Sequence, residues 1–274
     1  MEFWKIDRIL LNFLEEDIGF GDITTESICR GERAKAVFLA KEKGVCAGLD
    51  FSIRIFQLLG DIKVIRAWEE GKEFKKGDVL LEIEASAEVL LKGERTALNL
   101  LQRLSGIAFL TREFVKRLQG TKTRLLDTRK TTPGLRYFEK YAVRMGGGTN
   151  HRFALYDMVL IKDNHKRIAG GIGEAIRRVK ERIGPAYKIE VEVESLEELE
   201  EALSWKVDIV LLDNFSPQMV REAIKLIGGR AEVEVSGNIT LDNIKDYAIE
   251  GVDYISSGSI THSARWLDIS MRAL

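Results

Sequence analysis

Apolar residues recur along this chain with two different periods. Ile6, Ile9, Leu10, Phe13 and Leu14 share one helical face and predict a first helix. The segment GFGDITTE then reads as a loop, residues 33–40 (RAKAVFLA) as a strand and residues 50–59 as a helix. DIKVIRAW and VLLEIEAS predict two more strands. From Ser86 to about Gly120 the pattern is helical, with Ser105-Gly106 as a break. Strands and helices without regular alternation predict an α+β domain here.

After Gly120 the pattern changes. Seven short apolar runs appear, TRLLDT, YAVRMG, DMVLIK, KIEVEV, VDIVLLD, AEVEVS and VDYISS, with helical stretches between them. Those helices carry start signals: Ser195 with Glu198 as a capping box, Ser216 before Pro217, and Thr240. Buried parallel strands alternating with helices imply a β/α barrel or a doubly wound sheet, and seven candidates favour the barrel.

Almost every run ends in a chemically capable residue. TRLLDT leads into Arg129 and Lys130, and YAVRMGGGTN into His151 and Arg152. DMVLIK ends at Lys162, KIEVEV contains Glu192, VDIVLLD ends at Asp213, AEVEVS at Ser236, and VDYISS runs into Gly258. In parallel β/α folds the strand C-termini open on one face, where ligands bind. Arginine forks suit carboxylates, and glycine and serine at strand ends expose N–H groups for phosphates. Two acids on neighbouring strands suit magnesium or ribose hydroxyls. A sugar phosphate, a metal-bound diphosphate and a carboxylated partner all fit this inventory. Glu190, Glu192 and Glu194 alternate with valines, so they also fit one polar face of a strand.

Composition narrows the partners. At 274 residues the chain holds one large or two medium domains, and a net charge of −1 offers no bulk attraction to nucleic acid or an anionic membrane. Cys29 and Cys46 have no metal-like spacing and do not form a disulfide framework, which predicts a cytoplasmic location. The opening MEFWKIDRILLNFLEED places acids inside its apolar pattern and reads as neither an export signal nor a membrane span.

The stretch DTRKTTPGLRYFEKYAVRMGGGTNHRFALYDMVLIKDNH resembles the signature region of the quinolinate phosphoribosyltransferase family. So do GERTALNLLQRLSGIA before it, IEVEVESLEEL, LLDNF, VEVSGNI and ISSGSITHS after it, and EEDIGFGDITTE and GVCAG near the start. Together they cover most of the chain, in order. The resemblance implies an N-terminal α/β sandwich domain over 1–104, joined by a C-terminal helix at about 263–274, and an incomplete seven-stranded β/α barrel over 105–262.

The activity it implies is transfer of the phosphoribosyl group of PRPP (phosphoribosyl pyrophosphate) to quinolinate, with decarboxylation, in NAD biosynthesis. The resemblance implies that Arg129, His151, Arg152 and Lys162 line the quinolinate site, with Arg95 supplied by the partner of a homodimer, and that Thr128 also binds substrate. It implies that Lys130 and Lys162 meet PRPP phosphates, and that Glu192 and Asp213 hold the ribose hydroxyls and Mg2+. Ser236, Gly237, Asn238, Ser257 and Gly258 would cradle the 5-phosphate, with His262 nearby. Many members of the family carry a second glycine where this chain has Asn238. Three other readings compete: a related phosphoribosyltransferase with another acceptor, a Schiff-base lyase using Lys162, and a biotin- or lipoyl-type carrier hairpin at EEGKEFKKGDVLLEIEAS.

Overall fold

Two sheets of opposite character organise the chain. A computed structural model describes residues 6–274; residues 1–5, where the segment read as carrying no export signal begins, lie outside the described residues. One unit comprises the described residues up to Leu110 with Tyr137–Gly147 and Ala264–Leu274, and the other comprises Thr111–Arg136 and Gly148–Ser263.

The first unit opens with α1 (Asp7–Ile18), on the face the sequence predicts, and α2 (Ile23–Ile28). GFGDITTE is therefore not all loop. Asp22 starts α2 by accepting from the Thr25 N–H at 3.0 Å, a helix cap inside an apparently polar turn. Next come β1 (Arg33–Ala40), β2 (Gly44–Val45), α3 (Leu49–Leu59), β3 (Ile62–Ala67), β4 (Glu73–Phe74), β5 (Val79–Ser86) and α4 (Ala87–Arg117). α4 runs unbroken through Ser105-Gly106. Gly106 serves close packing and does not break the helix: a Cβ there would lie 1.9 Å from the Arg265 carbonyl oxygen.

In the second unit β6 (Arg124–Leu126) comes first. The predicted strand YAVRMG is instead the end of helix α5 (Arg136–Gly146), and from Tyr137 on that helix belongs to the first unit. β7 (Val159–Ile161), α6 (Asp163–Ala169), α7 (Ile172–Arg182), β8 (Ile189–Val193), α8 (Leu196–Ser204), β9 (Ile209–Asp213), α9 (Pro217–Ile227), β10 (Glu232–Ser236), α10 (Ile244–Tyr247), β11 (Tyr254–Ser256) and α11 (Ser259–His262) follow. The strands form one parallel sheet in the order β6-β11-β10-β9-β8-β7. The incomplete barrel therefore has six strands, not seven. Thr149, just after α5, contributes a single parallel bridge to Leu126. Among the described residues β6 and β7 do not pair, so the sheet stays open. The Ser195 and Ser216 caps form, each accepting from a backbone N–H three residues on, but the Glu198 carboxylate accepts from the Glu194 N–H and not from Ser195, so the expected capping box is only half made.

The chain ends in β12 (Ile269–Ala273), a strand where a C-terminal helix was expected. It pairs antiparallel with β1, Ala40 opposite Ile269, and completes the four-stranded sheet β12-β1-β5-β3. Pairing with a strand over two hundred residues away leaves no local signal to read. α5 supplies the core of this unit, where Phe51 meets Phe138 and Tyr141 edge-on at centroid distances of 5.0 and 4.9 Å. Burying a ring such as Phe138 fully contributes about 1.5–3 kcal/mol, more than enough to hold a short helix.

Candidate active site

Because all six strands run parallel, their C-terminal ends face one way. A cleft of about 760 Å³ opens there. It is lined by every expected site residue of this unit: Thr128, Arg129 and Lys130 after β6; His151 and Arg152 before β7; Lys162 after it; Glu192 on β8; Asp213 ending β9. Ser236, Gly237 and Asn238 follow from β10, Ser257 and Gly258 from β11, and His262 from α11. Arg95 lies on α4 in the first unit, exposed, and is not among the lining residues.

The basic side divides into two arginines and two lysines. Arg152 donates to the Met158 carbonyl at 3.0 Å. Burial first and the nearby Arg129 charge second lower its pKa, so an anion is wanted there. Lys162 pairs with Glu192 at 2.5 Å. Lys130 passes over Gly258: a Cβ on Gly258 would lie 2.9 Å from the lysine chain and 3.1 Å from the His262 ring. The Thr261 hydroxyl donates to the Lys130 carbonyl at 2.9 Å and fixes that loop. Asp213 is raised by burial and then by the Glu192 charge.

Ser257 lines the cleft with its donors already engaged. Its N–H donates to Leu126 and its hydroxyl to Ile239 at 2.8 Å, so it braces the loop from below. Backbone donors for a phosphate must come from its neighbours.

Several working residues escape a sequence reading. Asp127, fully buried, accepts from the His151 N–H at 2.8 Å and from the Asn150 amide at 2.7 Å. It pins the loop carrying both His151 and Arg152. Asn214, Asp163, Glu194 and Glu234 also line the cleft. The alternation of EVEVS offered a signal for Glu234, the same signal that marks Glu190 on β8.

His151 Nε2 lies 3.1 Å from Glu190 and 3.5 Å from Glu234. Its Nδ1 accepts from the Arg152 N–H at 2.7 Å, so in the neutral ring the proton sits on Nε2, the nitrogen that faces the acids. Both carboxyls are buried, and both are pushed up, Glu190 to about 7 and Glu234 to about 8, with burial the first cause. Both Glu190 oxygens and one Glu234 oxygen lack a hydrogen-bond partner, and a proton shared between the two carboxyls would satisfy two of these three.

A carboxyl raised in the folded state loses its proton earlier in the unfolded chain. Stability should therefore fall as pH rises from the ordinary 4.5 towards about 8. Glu234→Gln supplies a permanent donor and should flatten that slope. Thermal melts across this range check it; parallel slopes for both proteins would contradict the assignment.

The fold and cleft define a parallel β/α protein with a strongly charged cleft at its strand ends. Two family models match, "Quinolinate phosphoribosyl transferase, N-terminal domain" over residues 22–105 and "Quinolinate phosphoribosyl transferase, C-terminal domain" over residues 107–272. A probable nicotinate-nucleotide pyrophosphorylase (carboxylating) from Bacillus subtilis is 44% identical, across 99% of this chain and 94% of the relative. One of the same description from Methanocaldococcus jannaschii is 48% identical, across 96% and 95%. The crystal structure of NadC from Streptococcus pyogenes superposes with a TM-score of 0.95 at 44% identity, covering 99% of this chain and 98% of that one. The chain belongs to the quinolinate phosphoribosyl transferase family.

Proposed function

We propose that this chain joins the phosphoribosyl group of PRPP to the ring nitrogen of quinolinate and releases nicotinate mononucleotide, pyrophosphate and CO2. One observation carries the reading: a single cleft gathers two guanidinium groups, two lysines, five carboxyl groups and glycine-containing strand ends. Arg129 and Arg152, with Thr128 and His151, take the acceptor's two carboxylates. Lys130 and Lys162 meet phosphates, Glu192 and Asp213 the ribose hydroxyls. Ser236, Gly237, Asn238 and Gly258 hold the 5-phosphate, with His262 at that end.

The new bond forms between the ring nitrogen and C1 of the ribose, while the C1–oxygen bond breaks and its electron pair leaves with pyrophosphate. Holding both reactants in line is the cleft's main task. The ring is then cationic. It accepts the electron pair left when the adjacent carboxylate departs as CO2, and that carbon takes up a proton. The Lys162 nitrogen is held in an ion pair with Glu192, which suits it to charge work on phosphates and not to imine formation.

Magnesium fits this site. Glu192 and Asp213 offer only hard oxygen donors, and the raised Asp213 carboxyl gains from a cation beside it. When bound, magnesium would neutralise part of the diphosphate charge. Both cysteines are free, which suits the cytoplasm. No helix among the described residues is long and apolar enough to cross a membrane.

We further propose that the working form is a homodimer with Arg95 of a second copy completing the acceptor site. Arg95→Ala should then be inactive alone, and mixing it with inactive Asp213→Ala should restore part of the activity. No recovery in a mixture shown to exchange subunits refutes the shared site. The reaction itself is tested by product analysis with PRPP, quinolinate and magnesium. Equal amounts of nicotinate mononucleotide and pyrophosphate support it, and absence of a nucleotide product refutes it.

A further inference from the structure

The residue after Asp213 takes a conformation that few side chains accept. Asn214 has φ 57°, in the left-handed region where asparagine is among the better tolerated residues. Its Nδ2 donates to Asp213 Oδ2 at 2.7 Å, and its Oδ1 accepts from Asn238 Nδ2 at 3.1 Å. Its backbone N–H donates to the Ser236 carbonyl at 3.0 Å. Chemistry fixes the amide's orientation, because the carboxylate of Asp213 can only accept.

The chain of contacts continues. Asn238 is also left-handed, at φ 51°, and its carbonyl accepts from Asn243 Nδ2 at 3.0 Å. Asn243 Oδ1 in turn accepts from the Thr240 N–H at 2.8 Å. Between the two linked asparagines lies Gly237, where a Cβ would sit 2.3 Å from Asn214 Oδ1. The loop after β10 is thus shaped around one amide that also grips the acid ending β9.

We propose that Asn214 is a positioning residue that ties Asp213 to the Gly237–Asn238 loop, so that the ribose hydroxyls and 5-phosphate of one ligand are bound in fixed register. With one Asp213 oxygen held, the other is left to the ligand. The inference rests on the functional reading above, since it takes PRPP as that ligand. The hydrogen bonds of this network stay on the ends of β9 and β10 and the loops that follow them, and they involve neither Arg129 nor Arg152. Acceptor binding should therefore be spared.

The test uses the full chain as Asn214→Ala, Asn214→Gly, Asn238→Ala and the Asn214→Ala/Asn238→Ala double variant. The glycine variant removes any strain of a Cβ at positive φ, so a folding defect in the alanine variant does not decide the matter. Both Asn214 variants should raise the KM for PRPP about 10-fold or more and leave that for quinolinate within about 2-fold. The double variant should be no worse than Asn214→Ala alone, because both changes break one linkage. An unchanged KM for PRPP in both Asn214 variants overturns the assignment. So does a parallel rise in both KM values with a lowered melting temperature, which marks a merely structural role. Wild-type protein is assayed in the same series. If it fails to turn over PRPP with quinolinate, the functional reading falls and this assignment with it; if it succeeds while the variants behave as wild type, only the assignment falls.

Discussion

Arg152→Ala should lower kcat/KM for quinolinate about 30- to 4,000-fold, the equivalent of roughly 2–5 kcal/mol for a charged contact in a partly buried site. The guanidinium is anchored by the Met158 carbonyl, and burial and Arg129 already disfavour its charge. Arg152 is half-buried, so an anion beside it gains more from its charge than from a more solvated one such as that of the exposed Arg129. The loss should fall mainly on the KM for quinolinate, with that for PRPP nearly unchanged. Arg152→Lys should not restore it, because an ammonium cannot grip a carboxylate with two parallel bonds. Steady-state kinetics in both substrates checks this, and a kcat/KM for quinolinate close to wild type would contradict the acceptor site drawn here.

The second large effect concerns Asp213. Asp213→Ala should cost about 100-fold or more in kcat/KM for PRPP and should raise the magnesium needed for half-maximal rate. Its carboxyl is raised by burial and by Glu192, the situation of an acid placed to share a cation or a hydroxyl with a neighbouring acid. Alanine also strands the Asn214 amide, so Asp213→Asn is the cleaner variant: it keeps the shape and removes the charge. Both should leave the KM for quinolinate within about 2-fold, since the arginine side of the cleft is untouched. A magnesium titration that superposes on wild type would remove Asp213 from the metal shell.

The strand ends of the second unit were legible because strands buried on both faces show as unbroken apolar runs, and the first polar residue after each run marks the mouth. That rule placed Lys162 and Asp213 at the ends of β7 and β9, where the apolar runs are unbroken. It failed for YAVRMG because the run was cut too short. Over the longer window Phe138, Tyr141 and Ala142 are buried at helical spacing. Gly106 misled for a related reason: local pattern cannot distinguish a glycine that ends a helix from one that admits another backbone. β12 was hidden because its partner, β1, lies at the other end of the chain. Glu234, Asp127 and Asn214 were passed over because each works through a neighbour: Glu234 through His151, Asp127 through the loop of His151 and Arg152, Asn214 through Asp213. Such roles depend on distances across the sheet, which spacing along the chain does not reveal.

The most direct test of the central claim is a mass-resolved assay with PRPP and magnesium, run in parallel with quinolinate and with nicotinate as acceptor. The arginine pair and the proposed chemistry predict nicotinate mononucleotide from quinolinate, with one CO2 released per nucleotide, and none from nicotinate. Nucleotide formed from nicotinate alone, or from neither acid, would contradict it and move this cleft to a different acceptor or a different reaction.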